Sequence, residues 1–118
     1  MTEAVTVDTT QVGPVTILKA GPSLTFDDGN LGLQRAVVSQ LAAGARAFVI
    51  TVSAVTAIDS FGVAEVVSCH TTIARGGGRL ILAAPSRKVR EVLAVTRLDG
   101  VIEIRETEAD AVAALQAV

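Results

Sequence analysis

The sequence of 118 residues has the length of one domain, and half of its residues are apolar, enough to build one core. A formal charge of −2 lacks the basic excess of an electrostatic nucleic-acid binder, and three Phe with no Trp or Tyr argue against base-stacking platforms and aromatic cages. One cysteine, Cys69, excludes an intramolecular disulfide framework and a multi-cysteine metal site. The apolar runs break well short of the roughly 18 residues of a membrane helix. Residues 1–15 include Glu3 and Asp8 and lack the basic start and apolar block of a secretory signal. The expectation is a single domain over 1–118 in the cytoplasm, with no nucleic-acid or membrane partner.

Residues 3–8 alternate, Val5 and Val7 against Thr6 and Asp8, which is the period of a half-buried strand. Thr9 to Pro14 reads as a turn and Val15 to Ala20 as a second strand, so the pair is expected to form an antiparallel hairpin. Gly21-Pro22-Ser23 breaks it, and Leu24 to Asn30 reads as a loop carrying Asp27 and Asp28. Leu33, Ala36, Val37, Gln40 and Leu41 have helical spacing, closed by Gly44. Phe48 to Val52 is the strongest candidate for a central strand. A helix follows from about Ser60 to Arg75, with Val63, Val66, Val67, His70 and Ala74 on one stripe. Arg79 to Ala83 is the next strand. Ser86 is placed to cap a helix that turns Val89, Val92 and Leu93 inward. Asp99-Gly100 turns the chain into a short strand at Val101 to Ile104. Thr107-x-x-Asp110 then has the spacing of a capping box before a last helix with Ala111, Val112 and Leu115 inward.

The order is β-β-α-β-α-β-α-β-α. Strands joined through helices should be parallel, with right-handed crossovers. Several strands still alternate, Ile102 and Ile104 against Glu103 and Arg105 for example, whereas a sheet covered on both faces reads as continuous apolar runs. The fold class expected is therefore α/β: a mixed, mainly parallel sheet of about five strands, an N-terminal hairpin, and about four helices mainly on one face.

The chain offers little catalytic equipment. His70, the single histidine, lies ten residues beyond Ser60, roughly 15 Å along a helix, too far to act as its base. Cys69 reads as a small apolar residue, and Asp27-Asp28 alone is a weak metal site. Gly76-Gly77-Gly78 follows a helix and precedes a strand, the reverse of a phosphate loop, and no Gly-Lys-Ser/Thr follows. Arg87, Lys88 and Arg90 gather at a helix start, where basic charge opposes the dipole. They read as a solvated face, or as a contact for an acidic partner or a nucleotide phosphate. No cofactor is implied.

One hydroxyl stands out. Ile58-Asp59-Ser60-Phe61-Gly62 opens the second helix directly after the central strand and a short polar crossing. Ser60 there can be an N-cap, its oxygen accepting from a first-turn N–H. The same position suits a phosphate, because free N–H groups and the positive helix end favour an anion. Both readings stay open on local sequence.

The stretch resembles the phosphorylation motif of the STAS domain family, best known as bacterial anti-sigma-factor antagonists. Those proteins carry Asp-Ser-(Ser/Thr)-Gly at a helix start after a strand and short loop, and the Ser after the Asp is phosphorylated by a kinase that is itself the anti-sigma factor. Asp59-Ser60-Phe61-Gly62 puts Ser60 on that position, with Phe61 in place of the small hydroxyl residue, which is similar to the small antagonist of the stressosome branch. The resemblance follows the order of elements over nearly the whole chain and implies a STAS-like fold. It implies a regulatory binding protein rather than an enzyme: binding an anti-sigma factor with serine-kinase activity, releasing the sigma factor, and switched off at Ser60. Asp59 would fix the helix start, Gly62 would leave room for a partner backbone, and Phe61 would be an apolar anchor or a buried first-turn residue. Thr25, with Asp27 and Asp28, falls where family members have a recognition edge. The alternatives are a scaffold that assembles with other STAS proteins in a stressosome-like particle, and a ligand- or nucleotide-binding module in which Ser60 only caps the helix.

Overall fold

The computed structural model describes residues 6–25 and 32–116. Its first strands, β1 (Thr6–Val12) and β2 (Val15–Gly21), form the expected hairpin, in register from Thr6 opposite Gly21 to Val12 opposite Val15. The turn is tighter than the sequence suggests. Thr9, Thr10, Gln11 and Val12, read as turn, are strand, because β-branched Thr and Val suit the pleat. Gly13 and Pro14 alone reverse the chain. Gly13 supplies the positive φ, +57°, that a two-residue hairpin turn needs at its first central position.

The main sheet has five strands in the order β1-β2-β4-β6-β7, where β4 is Ala47–Thr51, β6 is Arg79–Ala83 and β7 is Glu103–Arg105. The pairs β2–β4, β4–β6 and β6–β7 are parallel, so the strands are added in chain order as expected. Phe48 pairs with Leu80 and Ile50 with Leu82 on one face; Val49 pairs with Ile81 on the other. The first face meets Leu33 and Val37 of α1 (Gly32–Ala42), Val66, Cys69 and Ile73 of α2 (Ser60–Arg75), and Val89 and Leu93 of α3 (Arg87–Val95). The second face, with Val15, Ile17 and Ala83, meets Ala111 of α4 (Glu108–Gln116). Three helices therefore share one face and one covers the other. Each fully buried Val, Leu, Ile or Phe side chain contributes about 1.5–3 kcal/mol, and β4, buried on both faces, anchors both layers.

One boundary, one cap and one helix face differ from expectation. Leu98–Gly100 forms a 3-10 turn, so the last strand begins at Glu103 rather than Val101. Only half of the capping box forms, with the Asp110 N–H donating to Thr107 Oγ1 at 3.0 Å. The buried face of α2 is Gly62, Glu65, Val66, Cys69 and Ile73, while Val63, Val67 and His70 are half-buried and Ala74 is exposed. Close approach of another strand turns the helix that way. Ser23–Leu24 forms β3 and Ala57–Ile58 forms β5, a parallel two-stranded ladder at the start of α2.

Candidate functional site

The approach to α2 is held on three sides. Val52 N–H continues the central ladder to the Ala83 carbonyl at 3.1 Å, and Val55 is fully buried. The Pro22 carbonyl accepts from the Thr56 N–H at 2.8 Å and from the Thr56 hydroxyl at 3.3 Å. Ser86, the N-cap of α3, accepts from the Val89 N–H at 3.3 Å and donates its own hydroxyl to the Val55 carbonyl at 2.6 Å. The crossing from strand to helix is thus held by β6, by Pro22 just after β2, and by the cap of α3 together.

Asp59 is the N-cap of α2, and Ser60 is not. The Asp59 backbone is extended (φ −122°, ψ −171°), and its Oδ1 accepts from the N–H groups of Phe61 at 3.0 Å and Gly62 at 3.1 Å. Its own N–H donates to the Leu24 carbonyl at 3.2 Å, and its carbonyl accepts the first helical bond from Val63 at 3.0 Å. The reading of Ser60 as the helix cap is therefore corrected. Either residue could cap, and the phase of the helix gives that place to the carboxylate. Ser60 becomes the first helical residue, exposed, and among the described residues no hydrogen bond takes its hydroxyl. Its neighbour Phe61 is 57% exposed.

The two helix N–H groups best placed for an anion are already occupied by Asp59 Oδ1, so the helix start is not a ready anion cradle. Among the described residues no group of three or more His, Cys, Asp and Glu could hold a metal ion.

Gly62 is buried, and the backbone that approaches it belongs to the same chain. A Cβ at Gly62 would overlap the Leu24 carbonyl oxygen, so the room expected for a partner is filled by β3. Thr25, one residue beyond the Leu24–Ile58 pair, is brought beside the helix start, half-buried, with its hydroxyl 3.1 Å from that of Ser23. Asp27 and Asp28 lie outside the described residues. His70 is half-buried along α2.

Sequence reasoning missed Glu65. It is 8% exposed, and its Oε2 accepts from the N–H groups of Leu33 at 3.0 Å and Gln34 at 3.1 Å. A carboxylate of α2 thereby caps α1, which has no acid in its own first turn. Gln34 Nε2 also donates to Thr72 Oγ1 at 3.1 Å, so a polar seam joins the two helices. No sequence signal marks it, because Glu65 falls off the stripe expected on α2. One turn further, burial and then the Glu65 carboxylate push the Cys69 thiol up to about 12.

With this geometry in place, the likeness to known proteins is specific. The STAS domain family model matches residues 6–111. A protein of Thermotoga maritima, provisionally named as an anti-sigma factor antagonist, is 30% identical over 100 residues, or 85% of this chain and 88% of that protein. The crystal structure of a Thermotoga maritima protein with the same description superposes with a TM-score of 0.84 at 28% identity, covering 93% of this chain and 94% of that one. The unphosphorylated form of the anti-sigma factor antagonist SpoIIAA is similar in fold, with a TM-score of 0.72 at 19% identity over 96% of this chain and all of that one. The mixed sheet with its N-terminal hairpin, the placement of Asp59-Ser60 at the start of α2 and these matches agree: the chain belongs to the STAS domain family, among relatives named as anti-sigma factor antagonists.

Proposed function

We propose that this protein is an anti-sigma factor antagonist that binds an anti-sigma factor with serine-kinase activity, and that phosphorylation of Ser60 ends the binding. On this reading it is a cytoplasmic kinase substrate with no catalysis of its own. The observation that carries it is the division of labour at the start of α2: Asp59 caps the helix, leaving the exposed Ser60 hydroxyl with no part in building the fold. A hydroxyl that can be modified without dismantling its helix is what a reversible switch requires. Among proteins of similar fold, the Bacillus protein SpoIIAA has a phosphorylated form.

The test is phosphorylation in vitro. The purified chain is incubated with ATP and, in turn, each serine kinase of the anti-sigma type from the source genome, and intact mass is read. One kinase should add one phosphate to the parent and none to Ser60→Ala. Stoichiometric labelling of Ser60→Ala, at the exposed Thr56 or Thr71 for instance, would overturn the assignment.

A further inference from the structure

We infer that Phe61 and the first turn of α3 form one docking surface, and that its partner is a protein face with an apolar pocket bordered by acidic side chains. The inference rests on the reading of Ser60 as the switch and names the chemistry of what binds there. Three of the chain's ten basic residues, Arg87, Lys88 and Arg90, lie within four positions at the start of α3, although the whole chain carries a net charge of −2. No acid accompanies them in that turn, so they face the positive end of their own helix, a placement that costs helix stability. Their engagements are unequal. Arg90 is held by Glu106 through two hydrogen bonds of 2.8 and 3.2 Å. Arg87 reaches Glu91 only at 3.6 Å, with its side chain 95% exposed. Lys88 has no ion pair among the described residues.

This turn is fixed to the approach to Ser60. Ser86, one residue before it, donates to the Val55 carbonyl at 2.6 Å, and α3 packs against β5, two residues ahead of Ser60. On the same approach Phe61 holds a large apolar side chain 57% exposed, and it is one of three aromatic residues in the chain. An exposed aromatic on an approach tied to a turn that carries a weakly paired Arg and a Lys with no ion pair among the described residues has the make-up of an interface centre, where aromatic residues and Arg carry most of the binding energy. The complementary face is apolar at its middle and negative at its rim.

The test measures binding of the kinase that phosphorylates Ser60, by calorimetry, with and without ATP and at low and high salt. Phe61→Ala should weaken binding by about tenfold or more. The double variant Arg87→Glu, Lys88→Glu should do the same at low salt, with the difference shrinking at high salt as charges are screened. Arg75→Glu, at the opposite end of α2, should change little, and melting of every variant no lower than that of the parent keeps the comparison to the surface. If the kinase binds and phosphorylates Ser60 while these variants bind like the parent, the docking surface is wrong and the switch stands. An effect confined to the ATP-loaded kinase would assign the cations to nucleotide phosphates and overturn the acidic partner face. If no kinase modifies Ser60, both readings fall.

Discussion

The α-carbon of Gly62, in the first turn of α2, lies against the carbonyl of Leu24 in β3. A Cβ there would overlap the carbonyl oxygen and come within 2.8 Å of the carbonyl carbon and 2.9 Å of the Leu24 Cβ. That same carbonyl accepts the N–H of Asp59, so it cannot retreat without loosening the residue that caps the helix. Gly62→Ala should therefore destabilise by about 1–3 kcal/mol through overpacking. Chemical denaturation of parent and variant measures this, and an unchanged midpoint would show that β3 yields freely.

Glu65 gives a second prediction. Replacing it with Ala removes the acceptor for two N–H groups at the start of α1, and each donor left unpaired away from water costs about 1–3 kcal/mol. Glu65→Ala should lower the melting temperature and speed amide exchange at Leu33 and Gln34. Glu65→Gln keeps one acceptor oxygen and should recover part of the loss. Equal stability and exchange in all three proteins would mean that water replaces the carboxylate at no cost.

These two residues also mark where the sequence is legible. The sheet order could be read because Phe48–Val52 and Arg79–Ala83 are apolar runs set between helical stripes, and local periodicity carries that information. The partners of Glu65 lie 31 and 32 residues away in sequence, and no period reports a contact at that range. β3 and β5 are two residues each, too short for any alternation to show. At the site, the position of the helix start was legible, but Asp59 and Ser60 are both good caps. Choosing between them requires the phase of α2, which Leu24 sets by packing on Gly62. Of the five-residue stripe expected on α2 only Val66 is buried, for the same reason: Val63 and Ala74 fit a helical period, yet the face turned inward is the one that lets β3 approach.

Cys69 should make the fold less stable as the solution becomes alkaline. An unfolded thiol titrates near about 8.5, and in the folded protein burial and the Glu65 carboxylate push it up to about 12. The folded state thus holds the proton more tightly. Its stabilising contribution is complete below the unfolded value and is lost as pH rises from there toward 12. With no Tyr in the chain, few other groups titrate across that range. The denaturation midpoint of the parent should fall above about pH 9, and Cys69→Ala, though less stable at neutral pH because of the cavity it leaves, should lose less over the same interval. Parallel curves for the two proteins would mean that the thiol is not responsible. Below pH 8 the native thiol should also react with an alkylating reagent only as fast as the protein opens.

Ser60 is expected to switch binding without switching the fold. A negative group at a helix N-terminus is stabilised by about 0.3–1 kcal/mol, while the neighbouring Asp59 carboxylate opposes it by a similar order. Asp59 Oδ1 already holds the N–H groups of Phe61 and Gly62, so a phosphate would not gain them without displacing the cap. Melting and circular dichroism of the phosphorylated protein should match the parent within a few degrees, and loss of α2 would refute this. At a partner interface the same group brings roughly −1.5 to −2 charges into a contact made for a neutral hydroxyl. A partner face that is itself acidic makes this worse, since like charges brought together at an interface cost several kcal/mol. Even about 3 kcal/mol weakens affinity roughly a hundredfold. Ser60→Glu should therefore lose most of its binding to the proposed anti-sigma kinase, whereas Ser60→Ala, which removes an exposed hydroxyl that caps nothing, should retain it. Calorimetry on the parent and both variants decides the matter: a Ser60→Glu variant that binds as tightly as Ser60→Ala would remove Ser60 from the interface and end the switch hypothesis.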